Sequence, residues 1–378
     1  MRILFVLENY YPFIGGAEVL FKNLCEGLAD KGNDITVITT RLPGTPEKER
    51  IHKVSVIRVR TPRKASRYWF TFLAIPLSIR LAGRADIIQT TTYNGALPAL
   101  IAAKVRHKKC IITVHEIIGR RWKEMPGMNV ISARLHRLLE MVIVRFPFDR
   151  YIAVSQFTAN CLNNLGINTR KIQAIYNGID YVLFDPAKTD RDTIRKKLGI
   201  RDEFACLYYG RPGISKGVEY LVRAVPLISE RISNSRFILL LAHEPSDGYE
   251  HVRRLIDKLG IQDRIILVDP VPRDQLPSYI AAADCVVVPS LSEGFGFSAA
   301  EACAMGVPVV ASNVASLPEV VSGKYMLIEP KSPQAIALGV EAVYNNEATL
   351  SEKKIFGWPD CIKQYEKEYK YYLDSSRR

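Results

Sequence analysis

The sequence predicts an α/β protein made of two tandem domains, each with a parallel β-sheet covered by helices. Its 378 residues exceed the size at which a single hydrophobic core usually stops growing, so two domains of roughly 180 residues are expected. Short runs rich in Ile and Val alternate with amphipathic stretches, which is typical of βα units. Because this alternation occurs twice, we expect two Rossmann-like domains with a deep cleft between them.

In the first half, each predicted strand is a short apolar run of five or six residues. Residues 17–32 form an amphipathic helix between the first two strands, with Gly32 as its C-terminal cap. The first domain is placed at residues 1–178. Its predicted strands cover residues 2–7, 35–40, 54–59, 86–91, 110–114, 150–155 and 172–177.

The second half repeats the same plan, and we place the second domain at residues 179–358. The periodicity breaks between 177 and 204, where Asp180, Pro186 and a run of charges stand. A final amphipathic helix within 359–376 has no strand after it, so we expect it to pack back on the first domain. The predicted strands cover residues 204–210, 236–242, 264–268, 284–290, 307–312 and 325–330.

Composition excludes several classes of protein. The seven cysteines are scattered singly, which argues against a disulfide framework and a zinc site. The apolar stretch 68–83 is interrupted by Pro76 and Arg80, so a membrane-spanning helix is not expected there. The first apolar run, residues 2–7, is too short for a signal-peptide core. We therefore expect a cytoplasmic protein.

Charge is distributed unevenly along the chain. Residues 1–182 contain 27 Lys and Arg against 13 Asp and Glu, whereas the remainder contains 25 against 26. Such a basic domain suits nucleic acid, an anionic membrane surface or a phosphorylated substrate, although the excess could also serve solubility alone. Two segments, 58–72 and 119–127, mix cations with aromatic residues, as membrane-binding surfaces do.

Several candidate ligand-binding residues follow predicted strands, and ligands of open parallel sheets bind at the carboxyl ends of strands. Gly15 and Gly16 open a helix after the first strand, where free N–H groups would favour an anion, although they could simply make the turn. The dinucleotide fingerprint GxGxxG is absent there, which disfavours a nicotinamide-dependent dehydrogenase. Arg211 and Lys216 follow the strand 204–210 in a Gly-containing loop and suit a diphosphate.

Two glutamates flank a Gly-rich turn after the strand 284–290. Glu293 stands just beyond that strand, and glycines 294 and 296 leave backbone N–H groups open beside a helix start. Glu301 lies inside the helix, where it could bind a ligand or form a capping box with Ser298; spacing alone favours neither. The one D-x-D, Asp190 to Asp192, precedes a helical pattern and is interpreted as helix-start acids instead of metal ligands.

Together, "GGAE", "YNGID", the loop with Arg211 and Lys216, and "EGFGFSAAEACAMGVPVVAS" resemble the retaining glycosyltransferases of family 4, which have the GT-B fold. The resemblance extends over nearly the whole chain. It implies that Glu293 meets hydroxyls of the transferred sugar and that Glu301, the second acid of the E-x7-E motif, binds the nucleotide ribose. It also implies donor contacts for the remaining loop residues, which are Gly15, Gly16, Arg211, Lys216, Gly294, Phe295 and Gly296.

The same resemblance implies a mechanism. His115 ends a strand in "TVHE" and matches a family histidine near the transferred sugar; we favour hydrogen bonding to sugar or phosphate over general-base catalysis. The catalytic set is then His115, Glu293, Arg211 and Lys216, with no cofactor and no metal. The anomeric configuration would be retained, with the leaving phosphate helping to deprotonate the acceptor.

The basic first half then favours a lipid-linked glycan or phospholipid acceptor over nucleic acid. We expect a peripheral enzyme at the cytoplasmic face of an anionic membrane, using a nucleoside-diphosphate sugar. Two alternatives stay open. A sugar-nucleotide epimerase on the same fold would convert its donor without an acceptor, and a non-catalytic nucleotide-sugar-binding scaffold would bind the donor without turnover.

Overall fold

The computed structural model describes residues 1–13, 15–125 and 128–375, and the chain divides into two compact units. The first unit contains the described residues of 1–123, 130–178 and 356–378. The second contains the described residues of 124–129 together with 179–355. The final segment of the chain therefore belongs to the same unit as its beginning.

The first unit is built on a sheet with the strand order β3-β4-β2-β1-β5-β6-β7-β8. All neighbouring strands are parallel except β3, which pairs antiparallel with β4 at the edge. The strands are β1 Arg2–Val6, β2 Asp34–Thr40, β3 Lys48–Ile51, β4 Val54–Val59, β5 Ile87–Thr91, β6 Lys109–Val114, β7 Arg150–Ala153 and β8 Ile172–Ala174. The helices are α1 Gly16–Asp30, α2 Ser66–Ala82, α3 Ala96–Val105, α4 Val130–Val144 and α5 Gln156–Asn164, with α13 Trp358–Ser375 at the end of the chain.

The second unit has a sheet with the order β11-β10-β9-β12-β13-β14-β15, antiparallel only where β14 meets β15. Its strands are β9 Phe204–Gly210, β10 Ser235–Leu241, β11 Ile265–Val268, β12 Cys285–Val288, β13 Val309–Ser312, β14 Lys324–Ile328 and β15 Thr349–Leu350. Its helices are α6 Arg191–Lys197, α7 Val218–Arg231, α8 Ser246–Leu259, α9 Leu276–Ala282, α10 Phe297–Ala304, α11 Leu317–Val320 and α12 Pro333–Tyr344.

The predicted two-domain α/β architecture is confirmed, and the strands missed by the sequence are the two antiparallel edge strands. The strand β3 reads "KERI", with exposed or half-exposed side chains throughout, and β15 has only two residues. Neither has the continuous apolar run that marks a strand buried on both faces. Charged and short strands are common at sheet edges, because they discourage pairing with another chain.

Each sheet has a switch point, where the chain stops adding strands on one side and continues on the other. In the first sheet this point lies between β1 and β5, and in the second between β9 and β12. Ligands of such sheets bind outside the carboxyl ends of the strands at the switch point. The loops that follow β9 and β12 carry Arg211, Lys216 and Glu293, and Glu301 lies on α10 directly after the second loop.

The C-terminal helix α13 closes the core of the first unit. Tyr365 and Tyr369 are fully buried. The Tyr365 hydroxyl lies 3.0 Å from Oγ1 of Thr113 on β6, and the Tyr369 hydroxyl donates to Oε1 of Gln89 on β5 at 3.2 Å. The helix therefore supplies both apolar rings and the hydrogen-bond partners of two buried polar side chains of the sheet.

The helices of the part of the chain that the structure describes include none that is long and apolar enough to cross a membrane.

Replacing Tyr365 with Phe should lower the free energy of unfolding by about 1 kcal/mol, because one buried hydrogen bond is lost. Replacing it with Ala should cost about 3–5 kcal/mol, since a cavity opens under α13. Urea denaturation followed by circular dichroism measures both effects. Tyr371→Phe, at an exposed position of the same helix, is the control. Equal stability of the Phe and Ala variants would contradict the assigned role of α13.

Candidate active site

The loops after β9 and β12 meet at the switch point of the second sheet. The Leu291 amide donates to the carbonyl of Ser215 at 2.7 Å, which fixes one loop against the other. Gly217 lies in the left-handed region with φ 63°, and a Cβ there would stand 2.1 Å from the carbonyl oxygen of Pro289. Only glycine therefore allows the two backbones to approach so closely.

This approach brings Lys216 and Glu293 together. Nζ of Lys216 donates to Oε1 of Glu293 at 2.8 Å, and the Ser290 hydroxyl donates to the same oxygen at 2.9 Å. The side chain of Glu293 is 10% exposed and that of Lys216 is 35% exposed. Lys216 uses one of its three ammonium protons on this carboxylate, and no other acceptor for it occurs among the described residues, so two protons are left for a phosphate.

The Gly-rich turn after Glu293 is fixed by hydrogen bonds from Ser316. Its buried hydroxyl lies 3.1 Å from the carbonyl oxygen of Glu293 and 3.0 Å from that of Phe295. Phe295 is buried and packs edge-on against Phe297 at 5.3 Å between ring centroids. Gly296 has φ 93° and precedes the first residue of α10. The turn is thus fixed before any ligand binds.

Glu301 is on α10 and forms a buried ion pair. The Arg273 guanidinium donates to Oε1 at 2.6 Å, and the Tyr209 hydroxyl at the end of β9 lies 3.2 Å from Oε2. The N-cap of α10 is Gly296, and this helix has no side-chain cap in the described structure. The capping box with Ser298 is therefore not formed, and the other sequence interpretation, that Glu301 binds a ligand, stays a prediction.

Burial raises the pKa of the Glu301 carboxyl, because desolvation penalises the charged form, while Arg273 and Tyr209 oppose the shift. Burial likewise raises the pKa of the Tyr209 hydroxyl, and Glu301 adds to that shift. The phenol is therefore a hydrogen-bond donor at neutral pH. Its proton is shared between Glu301 and the carbonyl of Ser298, which lies 2.8 Å away.

Arg211 is exposed and directly follows β9, where its carbonyl accepts a hydrogen bond from the Tyr208 hydroxyl at 3.2 Å. Burial raises the pKa of Tyr208, so that this hydroxyl stays protonated. The backbone of Arg211 is thereby fixed while its side chain is accessible to solvent. The second unit thus places Arg211, Lys216 and Glu293 on the two loops of one switch point and Glu301 on the helix α10 that follows the second loop.

Three other predicted residues lie in the first unit. Gly15 is the N-cap of α1 and Gly16 is its first residue, as expected, while Ile14 lies outside the described residues. His115 follows β6, and its ring packs edge-on against Phe21 of α1 at 5.6 Å. Its Nε2 atom is buried without a hydrogen-bond partner among the described residues. Burial lowers the pKa of His115 to about 4, so the imidazole is neutral at pH 7.

The described residues contain no group of three or more His, Cys, Asp or Glu side chains that could hold a metal ion. Asp190, which begins the D-x-D sequence, is the N-cap of α6 and accepts from the Thr193 amide at 3.0 Å. Asp192 lies in the first turn of the same helix. Their interpretation as helix-start acids is confirmed.

Sequence reasoning missed Arg273, Tyr209, Ser290 and Ser316. Tyr209 stands at the end of a predicted strand, which could have marked it as a candidate. Arg273 follows β11 by five residues, and nothing in its local sequence "VPRDQL" indicates that it meets a residue 28 positions later. The pairing depends on two loops that end at the same edge of the sheet.

Two family models match the chain, one over each half. Residues 14–182 match "Glycosyltransferase Family 4" and residues 190–355 match "Glycosyl transferases group 1". The fold and the matches therefore define a two-domain glycosyltransferase.

Curated relatives agree with this class. An uncharacterized glycosyltransferase of Methanocaldococcus jannaschii is 28% identical, with 100% of both chains covered. A D-inositol 3-phosphate glycosyltransferase of Corynebacterium diphtheriae is 32% identical over 76% of this chain and 70% of the relative. One component of the phosphatidylinositol N-acetylglucosaminyltransferase of Arabidopsis thaliana is 23% identical over 100% of this chain and 83% of the relative. The chain belongs to the glycosyltransferases with the GT-B fold.

Solved structures share the fold. Sucrose-phosphate synthase from Thermosynechococcus elongatus superposes with a TM-score of 0.79 at 21% identity, covering 99% of both chains. Anabaena HepE in complex with UDP-glucose gives a TM-score of 0.74 at 20% identity, covering 98% of this chain and 100% of HepE.

Replacing Gly217 with Ala should destabilise the second unit by more than about 2 kcal/mol, because a left-handed backbone conformation and a clash with Pro289 add together. Gly213→Ala is the matched control from the same loop. Its Cβ would meet only Cγ of Lys216, at 3.8 Å, and should change stability by less than about 0.5 kcal/mol. Thermal denaturation compares the two. A Gly217→Ala variant as stable as wild type would show that the loops can separate without cost.

Proposed function

We propose that this chain transfers a sugar from a nucleoside-diphosphate sugar to a lipid-linked or phospholipid acceptor, with retention of configuration and without a metal. The observation that carries the proposal is the switch-point site of the second unit. There two cations, Arg211 and Lys216, follow β9, and two buried acids, Glu293 and Glu301, follow the neighbouring strand β12, with Lys216 in contact with Glu293. This is the charge pattern that a diphosphate flanked by two polyhydroxyl rings requires.

Each part of the donor has a matching group. Arg211 offers a bidentate fork and Lys216 a compact charge to the diphosphate, and the N-terminus of α10 adds its partial positive charge. Glu293 accepts hydroxyls of the transferred sugar, while Gly294, Phe295 and Gly296 form the turn beneath it. Glu301 accepts hydroxyls of the ribose. HepE, which shares the fold, has been captured with UDP-glucose, and this supports a UDP-sugar or a related donor.

In the proposed reaction, the bond between the anomeric carbon and the phosphate oxygen breaks as the acceptor oxygen attacks from the same face. The acceptor proton passes to the leaving phosphate oxygen, and the nucleoside diphosphate departs. Arg211 and Lys216 stabilise the negative charge that develops on it, which is electrostatic catalysis by preorganised groups. No enzyme nucleophile and no metal takes part.

His115 and the N-terminus of α1 are the first unit's proposed contribution. A neutral imidazole with a buried, unpartnered Nε2 can donate or accept a hydrogen bond from the transferred sugar or the phosphate. With a pKa of about 4, the ring is too weak a base to hold a proton at neutral pH, which supports hydrogen bonding over general-base catalysis. Gly15 and Gly16 would let the donor approach the helix start.

For the acceptor, we propose a lipid at the cytoplasmic face of an anionic membrane. One relative is named for phosphatidylinositol, which is a lipid, and another is named for D-inositol 3-phosphate, which is not; the first name supports the proposal. The helix α4 supports a membrane contact, because six of its eight exposed residues are large and apolar, the other two being Arg134 and His136. The large apolar residues exposed on it are Val130, Ile131, Leu135, Leu138, Leu139 and Val142.

The charges around this face have one sign. Arg134 is exposed on α4 and Arg145 follows it, whereas the single acid of the helix, Glu140, is buried and accepts from the amides of Ile118 and Gly119. An exposed apolar face bordered by cations is the pattern of a helix that lies in the interface of an anionic bilayer.

A second basic and aromatic surface surrounds the start of α2, where Tyr68, Trp69 and Phe72 are exposed. Not all of the segment 58–72 belongs to it: Arg58 and Phe70 are buried. Arg58 forms an ion pair with Glu49 on β3, so its charge is not available to a lipid surface. The membrane contact that we propose therefore excludes Arg58 and Phe70.

Donor binding tests the proposal first. At a concentration about a hundred times its Kd, the correct nucleoside diphosphate should raise the Tm by about 5–10 °C. Glu301→Gln and Arg211→Ala should each abolish most of this shift, whereas Arg254→Ala, at an exposed position of α8, should not. Differential scanning fluorimetry against UDP, GDP, ADP and their sugar conjugates measures it. If no nucleotide raises the Tm, the donor site is refuted. Transfer assays then test the two other parts of the proposal: activity in EDTA tests metal independence, and the anomer formed tests retention of configuration.

Membrane binding is tested by sedimentation with vesicles of phosphatidylcholine, with and without phosphatidylglycerol. Wild type should prefer the anionic vesicles, and the double variant Ile131→Glu/Leu138→Glu should bind them at least about tenfold more weakly, because two apolar side chains no longer leave water. Leu338→Glu, at an exposed position of α12, is the matched control. The membrane assignment would be contradicted if wild type bound neutral and anionic vesicles equally well, or if the double variant bound anionic vesicles as well as wild type does.

A further inference from the structure

Arg273 is a charged residue of the candidate site that neither the sequence motifs nor the proposed transfer chemistry uses. It lies between β11 and α9, and its guanidinium pairs with Glu301 at 2.6 Å. The side chain of Glu301 is 2% exposed and that of Arg273 is 34% exposed. On its other side, the guanidinium lies over the ring of the buried Phe184 at 5.2 Å from the ring centre.

The surroundings of Glu301 make Arg273 the main compensation for its charge. Tyr209 offers one proton, which it shares with the Ser298 carbonyl. Besides β9, which supplies Tyr209, the elements with the most contacts to α10 are β12, β13 and α11, whose ionisable side chains are Cys285 and Glu319. None of these side chains carries a positive charge. A buried carboxylate without a cation would take up a proton, because desolvation penalises its charged form.

From this geometry we propose that Arg273 is a positioning residue of the donor site: it keeps Glu301 ionised and oriented, so that the carboxylate can accept both hydroxyls of the donor ribose. The inference rests on the proposed role of Glu301 as the ribose ligand. It adds Arg273 to the donor site and explains how the buried Glu301 can stay ionised.

The count of acceptor positions fits a vicinal diol. An ionised carboxylate has about four lone-pair positions. Arg273 faces one on Oε1 and Tyr209 faces one on Oε2, which leaves one position on each oxygen. Two adjacent ribose hydroxyls need two acceptors at that spacing. A protonated carboxyl would turn one of these positions into a donor and so lose one of the two contacts.

The ribose reaches Glu301 at the side where Arg273 stands, since the guanidinium is the exposed member of the pair. Arginine has five N–H donors in a fork, and the closest contact to Glu301 uses Nη2. A small shift of the guanidinium can therefore admit the diol while another N–H keeps the ion pair. Lysine, which offers a point charge without the fork, would preserve ionisation but less of the orientation.

The experiment is a thermodynamic cycle that combines substitution of Arg273 with removal of the ribose hydroxyls and compares the binding affinities. UDP, GDP and ADP, each with its 2′,3′-dideoxy form, are titrated by calorimetry into wild type, Arg273→Met, Arg273→Lys and the control Arg254→Met. For the nucleotide that binds, Arg273→Met should weaken affinity about tenfold, as expected for loss of a contact that involves a charged group. The dideoxy nucleotide should bind wild type and Arg273→Met alike. Arg273→Lys should recover most of the loss.

A pH series supplies a readout that general damage to the fold would not reproduce. Glu301 accepts hydroxyls in its deprotonated form, so this contact is present above its pKa and lost as pH falls through it. Removing Arg273 raises that pKa further, because the attraction that opposes burial is gone. The affinity deficit of Arg273→Met relative to wild type should therefore grow as pH falls from 8 to 6. Comparison at equal pH cancels titration of the phosphates.

The outcomes distinguish failure of the proposed donor site from failure of the positioning role of Arg273. If wild type binds none of the nucleotides, the donor site itself is wrong, and this inference falls with it. If wild type binds but Arg273→Met weakens the dideoxy form equally, Arg273 acts on the fold or the phosphates and not through Glu301. If Arg273→Met binds more tightly than wild type, Arg273 competes with the ribose, and the positioning role is refuted.

Discussion

The parallel pairing of β9 with β12 is the constraint on which the candidate site depends. These strands are far apart in sequence, yet Cys206 and Cys285 are neighbours across the ladder. The pairing places two loops side by side at one edge of the sheet, and Gly217 allows their backbones to touch. Lys216 can then reach Glu293, and the start of α10 points to the same region. Without the pairing, the four charged residues would have no common location.

The site holds its charges in different ways. Glu293 accepts hydrogen bonds from Lys216 and from the Ser290 hydroxyl, and its side chain is slightly exposed. Glu301 is almost wholly buried and is paired with one arginine. The first arrangement leaves ammonium protons for a phosphate. The second is costly without its partner, because an unpaired buried carboxylate prefers to be neutral. The pair of Lys216 and Glu293 is thus suited to exchange contacts with a ligand, whereas the pair of Arg273 and Glu301 keeps a carboxylate ionised as a hydrogen-bond acceptor.

The sequence predicted the interior of the fold better than its margins. Runs such as "DCVVVPS" mark buried parallel strands, because both faces need apolar residues. The edge strand "KERI" lacks that signature. The exposed face of α4 could not be foreseen either, since an amphipathic pattern is the same whether its apolar side is buried or not. At Glu301, spacing favoured neither a capping box nor ligand binding. The ion pair with Arg273 could not be foreseen, because Arg273 comes from a loop whose position only the folded sheet defines.

The membership of α13 in the first unit has a consequence for biosynthesis. The second unit lies almost entirely within the continuous stretch 179–355, so the whole of it is synthesised before α13. The first unit, most of which is synthesised before residue 179, stays incomplete until α13 emerges. Until then, the side chains of Gln89 and Thr113 lack the tyrosine hydroxyls of α13. The half of the chain translated first is therefore the half that finishes folding last.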